Sequence, residues 1–559
     1  MPVQPILIYV EDPGAANMVL GLASAMRNQG LIAHLYAGGA ALDYLTARGE
    51  ALTPLPSADP AALISQINPV ACVIGTAENL DTPGFSLAEA ARRRSIPTAA
   101  LIDGPANADR RFQGRTTDPR CHVTDWLLVP DLGTRSAFLA LGIEPARIRV
   151  VGNPSHDRVL DSCDELLAQD RATLRRGLFP GLPEDAPLIL FLTELSDGLD
   201  PTQFRRSADY TLQGRGETNG RTEIVLEEVL DALADIAPAA RVALRLHPKT
   251  PANLYAAYDQ DIAAYSEGGD PHAALFAADL VIGLSTALLT EAVVMGRPTL
   301  SVLPREREAE WLIGGDLVPH VSTRDDLRAM LTRALDAPES FLAEQSGGTL
   351  RLGASPRTAR ALAQIAEGGT PAPDGTLPYA PPTLTSERLI LEPFPADLLT
   401  ERYVGWLNDP EVVRFSEQRH RAHTLDSCRD FIATFDGTAN GLWAIRVKSD
   451  DLRHIGNIST EIDATTGTGD IRILIGDRAA WGTGMGAEAW NAVMAHLFDD
   501  LGMAMVTAGT LAGNTGMRRI MEKSGMRETH RHPGPTPVDG QAMDLVFAAR
   551  SARDWLAGR

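Results

Sequence analysis

The chain has 559 residues, too many for one hydrophobic core, and at about 150 residues per domain it predicts three or four domains. Its net charge of −21 and pI near 5.0 argue against binding nucleic acid or an anionic membrane surface. No stretch approaches the roughly 20 apolar residues of a membrane helix. The basic start of a signal peptide is missing from the opening residues MPVQPILIYVEDPG. The four cysteines lack the spacing of a metal site or a disulfide framework. We therefore expect a cytoplasmic protein without a metal site.

The first 367 residues alternate short apolar runs with longer amphipathic stretches. Runs such as PILIYV, ACVIGT and DWLLVP predict strands, and stretches such as AANMVLGLASAMRNQG predict helices. Strands that alternate with helices are typical of parallel βαβ units. A second series of strands begins with PLILFLTE, so we expect an α/β fold with two Rossmann-like lobes, over residues 1–160 and 161–367.

Ligands of open parallel sheets bind beyond the carboxyl ends of the strands, where two loops carry candidate residues. In the first loop Asp12 and Gly14 follow a strand directly, either as substrate contacts or as an ordinary turn. In the second, Arg245, His247 and Lys249 alternate at the end of RVALRL. Cationic and protonatable groups at this spacing suit a phosphate or diphosphate, unless they form only a solvated strand end.

A third loop places Ser285 and Thr286 after the strand ADLVIG. Two hydroxyls ahead of a helix either cap it or bind phosphate. Glu291 lies early in the following apolar helix, where a lone carboxylate suits a ribose diol. His156, in GNPSHD at the join between the lobes, is more typical of a structural histidine than of a catalyst.

The segments VVGNPSHDRV, RLHPK and ADLVIGLSTALLTEAVVMGRPTL resemble the GT-B superfamily of nucleotide-sugar enzymes. That group includes glycosyltransferases, UDP-GlcNAc 2-epimerases and nucleotide-sugar hydrolases, and the segments also resemble the polymerases of glycerol-phosphate teichoic chains. The resemblance implies that Ser285 and Thr286 face phosphate and Glu291 faces ribose. The first loop departs from the pattern, because DPGAANM lacks the histidine of the G-x-G-H turn in hydrolases of the pseudaminic acid pathway. This departure argues against hydrolysis by that mechanism.

The stretch GGTPAPDGTLPYAPP predicts an extended linker over residues 368–382, because it is rich in Pro and Gly and lacks periodicity. Residues 383–559 then form a last domain. In it the strand pattern IRILIGD leads into WGTGMGAEAW, where three glycines precede a helix. Glycines at such a junction allow close backbone approach and leave N–H groups free, which suits a pyrophosphate. VTAGTLA, Asn514 and EKSGM follow in that order.

This order resembles the GNAT acetyltransferases, and LTSERLILEPF and YVGWLNDPEVVRFSE resemble the ribosomal-protein and sugar-amine branch of that family. The resemblance implies an α+β domain with a mixed, mostly antiparallel sheet, and acetyl-CoA as the co-substrate. Asn514 would orient the pantetheine arm or the thiol, unless it only caps a helix. The family's Q/R-x-x-G-x-G/A motif, here with Trp first, falls on Trp481, Gly482, Thr483, Gly484, Met485 and Gly486.

Acetyl transfer needs a base that deprotonates the amine and a donor that stabilises the oxyanion. HIGNISTEIDATTGTGDIRILIGD predicts a hairpin on which Glu461 is the first candidate base, the alternative being a solvent-facing strand residue. Glu417, in RFSEQRHRAH, is the second candidate. The GNAT resemblance implies a tyrosine as general acid, but no tyrosine follows Tyr403, which leaves this role to water or Ser524.

The segment around Glu417 is strongly basic within an acidic chain, which favours a phosphate-bearing acceptor unless the loop is merely solvated. Its cationic and protonatable residues are Arg414, Arg419, His420, Arg421 and His423. We therefore expect a bifunctional enzyme that N-acetylates a UDP-linked amino sugar in surface or flagellar glycan synthesis. Its first module would transfer, hydrolyse or epimerise a nucleotide sugar. The alternatives are a protein Nα-acetyltransferase with a non-catalytic binding module, and a sensor that binds acetyl-CoA without turnover.

Overall fold

The computed structural model describes most of the chain, and three main sheets organise it. The described residues are 4–46, 52–54, 59–77, 79–194, 205–247, 250, 252–312, 317–346, 351–371, 374, 381–449, 451–534, 537–538 and 540–558. In this part of the chain no helix combines the length and apolar character needed to cross a membrane.

The first sheet has seven parallel strands in the order β3-β2-β1-β4-β5-β6-β7. Its centre is apolar throughout, since Ile6 to Val10 of β1 are all buried, as is typical of a parallel sheet covered on both faces. The strand order reverses between β1 and β4, which creates a crevice at their carboxyl ends. The elements are β1 (Gln4–Val10), α1 (Pro13–Val19), α2 (Leu22–Asn28), β2 (Leu31–Ala37), α3 (Gly39–Thr46), β3 (Thr53–Pro54), α4 (Pro60–Ile67), β4 (Ala71–Gly75), α5 (Pro83–Arg92), β5 (Thr98–Leu101), β6 (Trp126–Val129), α6 (Leu132–Ala140) and β7 (Ile148–Val150).

The second sheet has six parallel strands in the order β10-β9-β8-β11-β12-β13, and its order reverses between β8 and β11. Two doubly wound parallel sheets confirm the predicted pair of Rossmann-like lobes. The elements are α7 (Pro154–Leu167), α8 (Arg171–Leu178), β8 (Leu188–Leu192), α9 (Arg221–Ile236), β9 (Arg241–Arg245), β10 (Ala264–Ser266), α10 (Pro271–Ala277), β11 (Leu280–Gly283), α11 (Leu288–Val294), β12 (Thr299–Val302), β13 (His320–Val321), α12 (Arg324–Asp336) and α13 (Pro338–Ser346).

The chain returns to the first lobe after the second one is complete. Helix α14 (Ala354–Ala366) places Ala359, Leu362 and Ile365 in the core cluster that contains β1. Beyond it, the Asp374 carboxylate accepts a hydrogen bond of 2.6 Å from the Val150 N–H of β7. The described residues at the start of the predicted linker are therefore bound to the first lobe, because they complete the hydrogen bonding of its edge strand.

The third sheet has eight strands in the order β14-β15-β16-β17-β18-β19-β23-β20, antiparallel except for the β18–β19 pair. Helices α15 and α16 lie on one face, and α17 and α18 on the other. The elements are β14 (Leu384–Thr385), β15 (Leu389–Pro393), α15 (Glu401–Asn408), α16 (Leu425–Ala433), β16 (Gly441–Val447), β17 (Arg453–Asp463), β18 (Thr468–Ile475), α17 (Met485–Ala495), β19 (Met505–Leu511), α18 (Thr515–Lys523), β20 (Arg527–His532), β21 (Pro537–Val538), β22 (Gln541–Ala542), β23 (Leu545–Ser551) and α19 (Ala552–Ala557).

Strands β18 and β19 diverge after a short parallel pairing. Their register ends with Asp470 opposite Thr507, and within the described residues no ladder joins the strands beyond that pair. We call the opening between the separated strands the fork. Since β18 continues to Ile475, its last residues have backbone groups available on the side that faces the fork. The predicted hairpin of β17 and β18 is confirmed, with Glu461 opposite Asp470.

The third domain is packed tightly against the other two. Arg357 of α14 is buried and donates hydrogen bonds to the carbonyl oxygens of Val151 and Phe498, which belong to the first lobe and the third domain. Arg553 of α19 donates to the Cys163 sulfur of α7, at 3.7 Å. A single apolar cluster also joins the second lobe to the third domain. We call this contact region the seam.

Candidate functional site

The glycine turn between β18 and α17 has the backbone that its sequence predicts. Gly482 and Gly484 have φ angles of +75° and +84°, in the left-handed region that favours glycine. Gly484 is the N-cap of α17 and has no side chain that could cap the helix. The Met485 N–H has only a long contact of 3.5 Å to Thr483 Oγ1, so the N–H groups at the start of the helix can bind a ligand. Gly486 has another purpose, since a Cβ there would lie 3.4 Å from Ile520 and 3.5 Å from Ile475. It allows α17 to pack closely on α18 and β18.

A polar anchor that the sequence did not reveal fixes this turn. Glu488, in the first turn of α17, accepts hydrogen bonds of 2.7 Å from Ser386 Oγ and Arg388 Nε. Burial opposes its charge, but the hydrogen bonds from Arg388 and Ser386 outweigh burial and lower the pKa of Glu488. Arg388 also donates to the Thr483 carbonyl oxygen at 3.1 Å. The turn is therefore held to the β14–β15 connection before any ligand binds.

Trp481 and Asn514 lie on opposite sides of the fork. The Trp481 indole N–H donates to the carbonyl oxygen of Ile475, the last residue of β18, at 2.8 Å. Asn514 follows β19 and caps α18, since its Oδ1 accepts from the Met517 N–H at 3.1 Å. Its Nδ2 donates to Thr510 Oγ1. The capping alternative for Asn514 is therefore observed, and a role toward CoA is an additional proposal.

A chain of charged side chains reaches the point where β18 and β19 separate. Glu461 is mostly exposed and forms an ion pair of 2.5 Å with Arg472. Arg472 Nε donates at 3.0 Å to Asp470, whose other oxygen accepts from Thr507 Oγ1 at 3.0 Å. Burial raises the pKa of Asp470. The sequence reasoning passed over Asp470, although alternation along the predicted hairpin puts it on the same face as Glu461.

The basic segment around Glu417, residues 414–423, lies beside the end of β19, and we call it the basic loop. A Cβ at Gly513, next to Asn514, would come within 3.1 Å of the Phe415 ring, so the loop contacts the far side of the fork. Arg419 Nη1 donates to the Ser416 carbonyl oxygen, while its buried Nε has no hydrogen-bond partner among the described residues. Glu417 is exposed and lies 3.3 Å from Arg419 Nη2. A solvated carboxylate in that ion pair is a weaker candidate base than the half-buried Asp470, whose pKa burial raises.

In the first lobe, the loop between β1 and α1 is contacted by the carboxylate of Asp103. Asp12 precedes α1 without capping it, and a Cβ on Gly14 would overlap Oδ2 of Asp103. Asp103, which follows β5, forms an ion pair of 2.5 Å with Arg111. Arg111 also donates to Thr76 Oγ1 at 2.6 Å. Gly14 is thus needed so that the Asp103 carboxylate fits against the start of α1.

The cationic residues predicted at the end of β9 in the second lobe do not share a partner in the part of the chain that the structure describes. Arg245 is buried and donates to Ser266 Oγ at 3.0 Å and to the Gly269 carbonyl oxygen at 2.9 Å. The backbone N–H of His247 donates to Thr193 Oγ1 at 2.9 Å. Lys249 lies outside the described residues. Arg245 therefore orders the loop after β10 in this structure.

At the end of β11, Ser285 is hydrogen-bonded to a carboxylate. Its N–H donates to Glu194 Oε1 at 2.6 Å and its hydroxyl to Glu194 Oε2 at 3.1 Å. Arg221, which is fully buried, donates to the same Oε2 at 2.7 Å. Thr286 accepts at 3.4 Å from the Leu288 N–H, a local contact at the start of α11. The sequence reasoning missed Glu194, although it follows β8, the strand next to β11.

Glu291 faces histidines of its own chain. Its Oε2 lies 3.0 Å from His272 Nε2 and the residue is 9% exposed. Burial acts to lower the pKa of His272, but the hydrogen bond and charge of Glu291 outweigh burial and raise it. His156 is buried, and desolvation lowers its pKa despite the nearby Glu291 charge.

Comparison with known proteins identifies the third domain. Residues 388–527 match the family model described as acetyltransferase (GNAT) domain. The chain therefore carries a GNAT acetyltransferase domain at its C-terminal end, as the resemblance implied. A GNAT-family acetyltransferase from Bacillus anthracis is 20% identical over 31% of this chain and 99% of its own, with a TM-score of 0.27.

The N-terminal region matches structures of another class. UDP-GlcNAc 2-epimerase from Neisseria meningitidis, solved with UDP-GlcNAc, is 13% identical over 61% of this chain and 94% of its own, with a TM-score of 0.44. A putative UDP-N-acetylglucosamine 2-epimerase from Listeria monocytogenes is 16% identical over 67% of this chain and 99% of its own, with a TM-score of 0.49. No curated protein matches the chain.

Proposed function

We propose that the chain is a cytoplasmic acetyl-CoA-dependent N-acetyltransferase that acts on an amino sugar in surface or flagellar glycan synthesis. The observation that carries this proposal is the glycine turn at the fork of a GNAT domain. The turn offers N–H groups at a helix start to the CoA pyrophosphate, and residues 481–486 with Asn514 would hold the co-substrate. Acetyl-CoA supplies the acetyl group as a thioester.

The base in this proposal is Asp470, with Glu461 as the alternative. The amine nitrogen attacks the thioester carbonyl carbon, the carbon–sulfur bond breaks, and the amine gives up one proton. Asp470 lies at the point where β18 and β19 separate, and its raised pKa brings it closer to the range in which a carboxylate accepts a proton efficiently. Arg472 pairs with both Asp470 and Glu461, which holds the Asp470 carboxylate in place at the fork.

The acceptor is proposed to be a sugar that carries an amine and a nucleotide link. Support comes from the basic loop, which contacts the residue before Asn514 and provides several cationic groups in a chain of net charge −21. Such a local patch attracts an anionic acceptor. In this proposal its exposed member Arg421 interacts with the diphosphate, and it does not belong to the acetyl-CoA turn.

The two lobes are proposed to bind a sugar of the same route, because each doubly wound sheet forms a crevice at its strand-order reversal. Transfer, hydrolysis or epimerisation of a UDP-sugar would require a free phosphate position at Ser285 or beside Gly14. Glu194 and Asp103 take those positions. This observation favours the second candidate for the lobes, a binding module without its own reaction.

The test is an acceptor comparison with the full chain. CoA release and product mass are measured with acetyl-CoA and either glucosamine, a UDP-linked amino sugar, or peptides with free N-termini. We expect acetylation of both sugars, faster for the UDP-linked one. Acetylation of peptides alone would overturn the amino-sugar assignment. If none of the acceptors led to CoA release, the enzyme assignment would be overturned.

Two variants separate the role of the basic loop from a general effect of charge. Arg421→Gln should raise the KM for the UDP-linked sugar while leaving that for glucosamine unchanged. The matched control is Arg429→Gln, which removes an exposed arginine paired with Asp426 on α16. An equal effect of the two variants would contradict recognition of the diphosphate by this loop.

A further inference from the structure

We infer that the two lobes hold anions of their own, the Glu194 and Asp103 carboxylates, where a nucleotide's phosphates would bind. The module therefore takes a sugar that offers hydroxyls and an amine but no phosphate at these positions. This inference rests on the proposed sugar-binding role of the lobes and goes beyond acetyl transfer. We call Glu194 and Asp103 the internal carboxylates.

The contacts of Glu194 are those that a phosphate would make. One oxygen accepts from the Ser285 backbone N–H and the other from the Ser285 hydroxyl and from Arg221. Backbone N–H, hydroxyl and guanidinium are the usual donors to a bound phosphate. Glu194 follows β8 and Ser285 follows β11, and these two strands flank the strand-order reversal of the second sheet. Ligands of such sheets bind at this reversal. The internal carboxylate thus uses the donors of the predicted phosphate site.

Burial makes this arrangement hard to exchange. Arg221 and Glu308 are both fully buried, and Arg305, which is 2% exposed, pairs with Glu308 at 2.7 Å. With Glu194 the group has two arginines and two glutamates, and the half-exposed Asp209 also lies 3.3 Å from Arg305. Moving Glu194 away would leave the fully buried Arg221 with Glu308 alone, which Arg305 also binds, so the buried charge of Arg221 would be only partly compensated. A nucleotide phosphate would therefore have to bind Arg221 and Ser285 more strongly than the Glu194 carboxylate does.

The first lobe repeats the arrangement with different residues. Asp103 lies against Gly14 at the start of α1, in the space that a Cβ would need. Arg111 binds Asp103 at 2.5 Å and also Thr76, so it has no need of a ligand anion. The strands involved, β1, β4 and β5, are neighbours at the reversal of the first sheet. Two lobes with separate sequences therefore satisfy their edge donors internally.

The remaining charge at the first edge favours an amine. Glu11 is 9% exposed and accepts a hydrogen bond of 2.7 Å from Asn79 Nδ2, and Asp12 follows it directly. With Asp103, three carboxylates surround a loop that has Arg111 as its paired cation. Like charges repel a phosphate, whereas carboxylates accept hydrogen bonds from hydroxyls and from an ammonium group.

The decisive experiment is calorimetric titration of the full chain with UDP and with inorganic phosphate, at saturating CoA so that the acetyl-CoA turn is filled. Glu194→Ser should gain one binding site that the wild-type chain lacks, with a dissociation constant at least about 100-fold lower than any wild-type binding there, because Arg221 and Ser285 are freed. The matched control is Glu306→Ser, which removes a surface carboxylate bound to His320 in the same lobe. It should give the wild-type isotherm.

The inference is overturned if folded Glu194→Ser has the wild-type isotherm, or if Ser285→Ala weakens UDP binding to the otherwise unchanged chain. Should Glu194→Ser fold poorly, thermal unfolding with added phosphate decides: the variant should be stabilised more than the wild type, and an equal response refutes the inference. Glu194→Gln, which keeps the shape, should show a smaller gain in the same titration. None of these results depends on acetylation, so the amino-sugar assignment fails or stands separately.

A titration with glucosamine tests the amine. Saturable binding that Asp12→Asn weakens, and that Asp43→Asn leaves unchanged, is the expected result. Asp43 is an exposed carboxylate on α3 of the same lobe. If Asp12→Asn and Asp43→Asn bind glucosamine equally well, the first edge does not select an amine.

Discussion

Replacing Gly484 by alanine tests the acetyl-CoA turn most directly. Gly484 has φ +84° and precedes α17, and the nearest atom to an added Cβ is Arg388 Nη2 at 3.6 Å. A methyl group fits the space, so the cost comes only from the left-handed backbone, about 1–2 kcal/mol for a residue with a Cβ. The chain can relieve this strain by flattening the turn, which turns its N–H groups away from the ligand.

If that strain is relieved in the free enzyme and restored on binding, the KM for acetyl-CoA should rise about 5- to 30-fold, because 1.4 kcal/mol is a factor of ten. The kcat should change little, since the base and acceptor loop are untouched. The assay is steady-state CoA release at saturating acceptor, together with the thermal unfolding midpoint of each variant.

Gly437→Ala is the matched control, because Gly437 has φ +68°, open space around it and an exposed position after α16. It should cost similar stability and leave the KM for acetyl-CoA unchanged. A KM for Gly484→Ala no higher than that of Gly437→Ala would refute the assignment of the turn to the co-substrate.

Three further predictions concern the base, the seam and a buried histidine. Asp470→Asn should lower kcat about 100-fold or more, while the kcat of Glu461→Gln should stay within a few-fold of wild type; equal losses of kcat in the two variants would contradict Asp470 as base. Because burial raises the pKa of Asp470, the wild-type rate should fall at a higher pH on acidification than it would with an exposed aspartate as base. Arg357→Met should lower the free energy of unfolding by about 2–4 kcal/mol, since buried carbonyls on both sides of the seam lose their donor. The matched control in calorimetry is Arg328→Met, which removes a half-exposed arginine paired with Asp235 and should change stability little; an equal loss for the two variants would contradict the role of Arg357. Burial lowers the pKa of His454, so the unfolded chain binds a proton that the folded chain does not, and stability should fall as pH drops below about 6.5. Burial lowers the pKa of His156 and His496 as well, so His454→Gln should reduce that slope in the unfolding midpoint without abolishing it, and an unchanged slope would contradict the assignment.

Much of the fold could be predicted because its signals are local. Apolar runs separated by amphipathic stretches gave both parallel sheets, and the glycine turn gave the start of α17. The return of α14 to the first lobe could not be read in this way, because Ala359 and Leu362 look the same whichever core they enter. The binding of Asp374 to β7 was hidden for a similar reason, since an edge strand's free N–H carries no sequence signal.

The candidate site divides along the same line. The roles of Gly482 and Gly484 were predictable because glycine is favoured where the backbone φ angle is positive, as it is at both residues. The partners of Ser285 and Gly14 were not, because Glu194 and Asp103 reach them from other strands, and pairing between strands depends on topology. Asp470 is an intermediate case, since the hairpin was predicted and only the alternation on its second strand was left unused.

The seam constrains how a sugar could pass between the two parts of the molecule. Arg357 joins the third domain to the first lobe, and Arg553 joins it to α7 of the second, so these contacts fix the acetyltransferase domain against both lobes. A tethered domain can carry its substrate by swinging, which raises the effective concentration at the second site. If the lobes bind a sugar of the same route, as proposed, that sugar would reach the fork by diffusion rather than by movement of the domain, in competition with molecules from the surrounding pool.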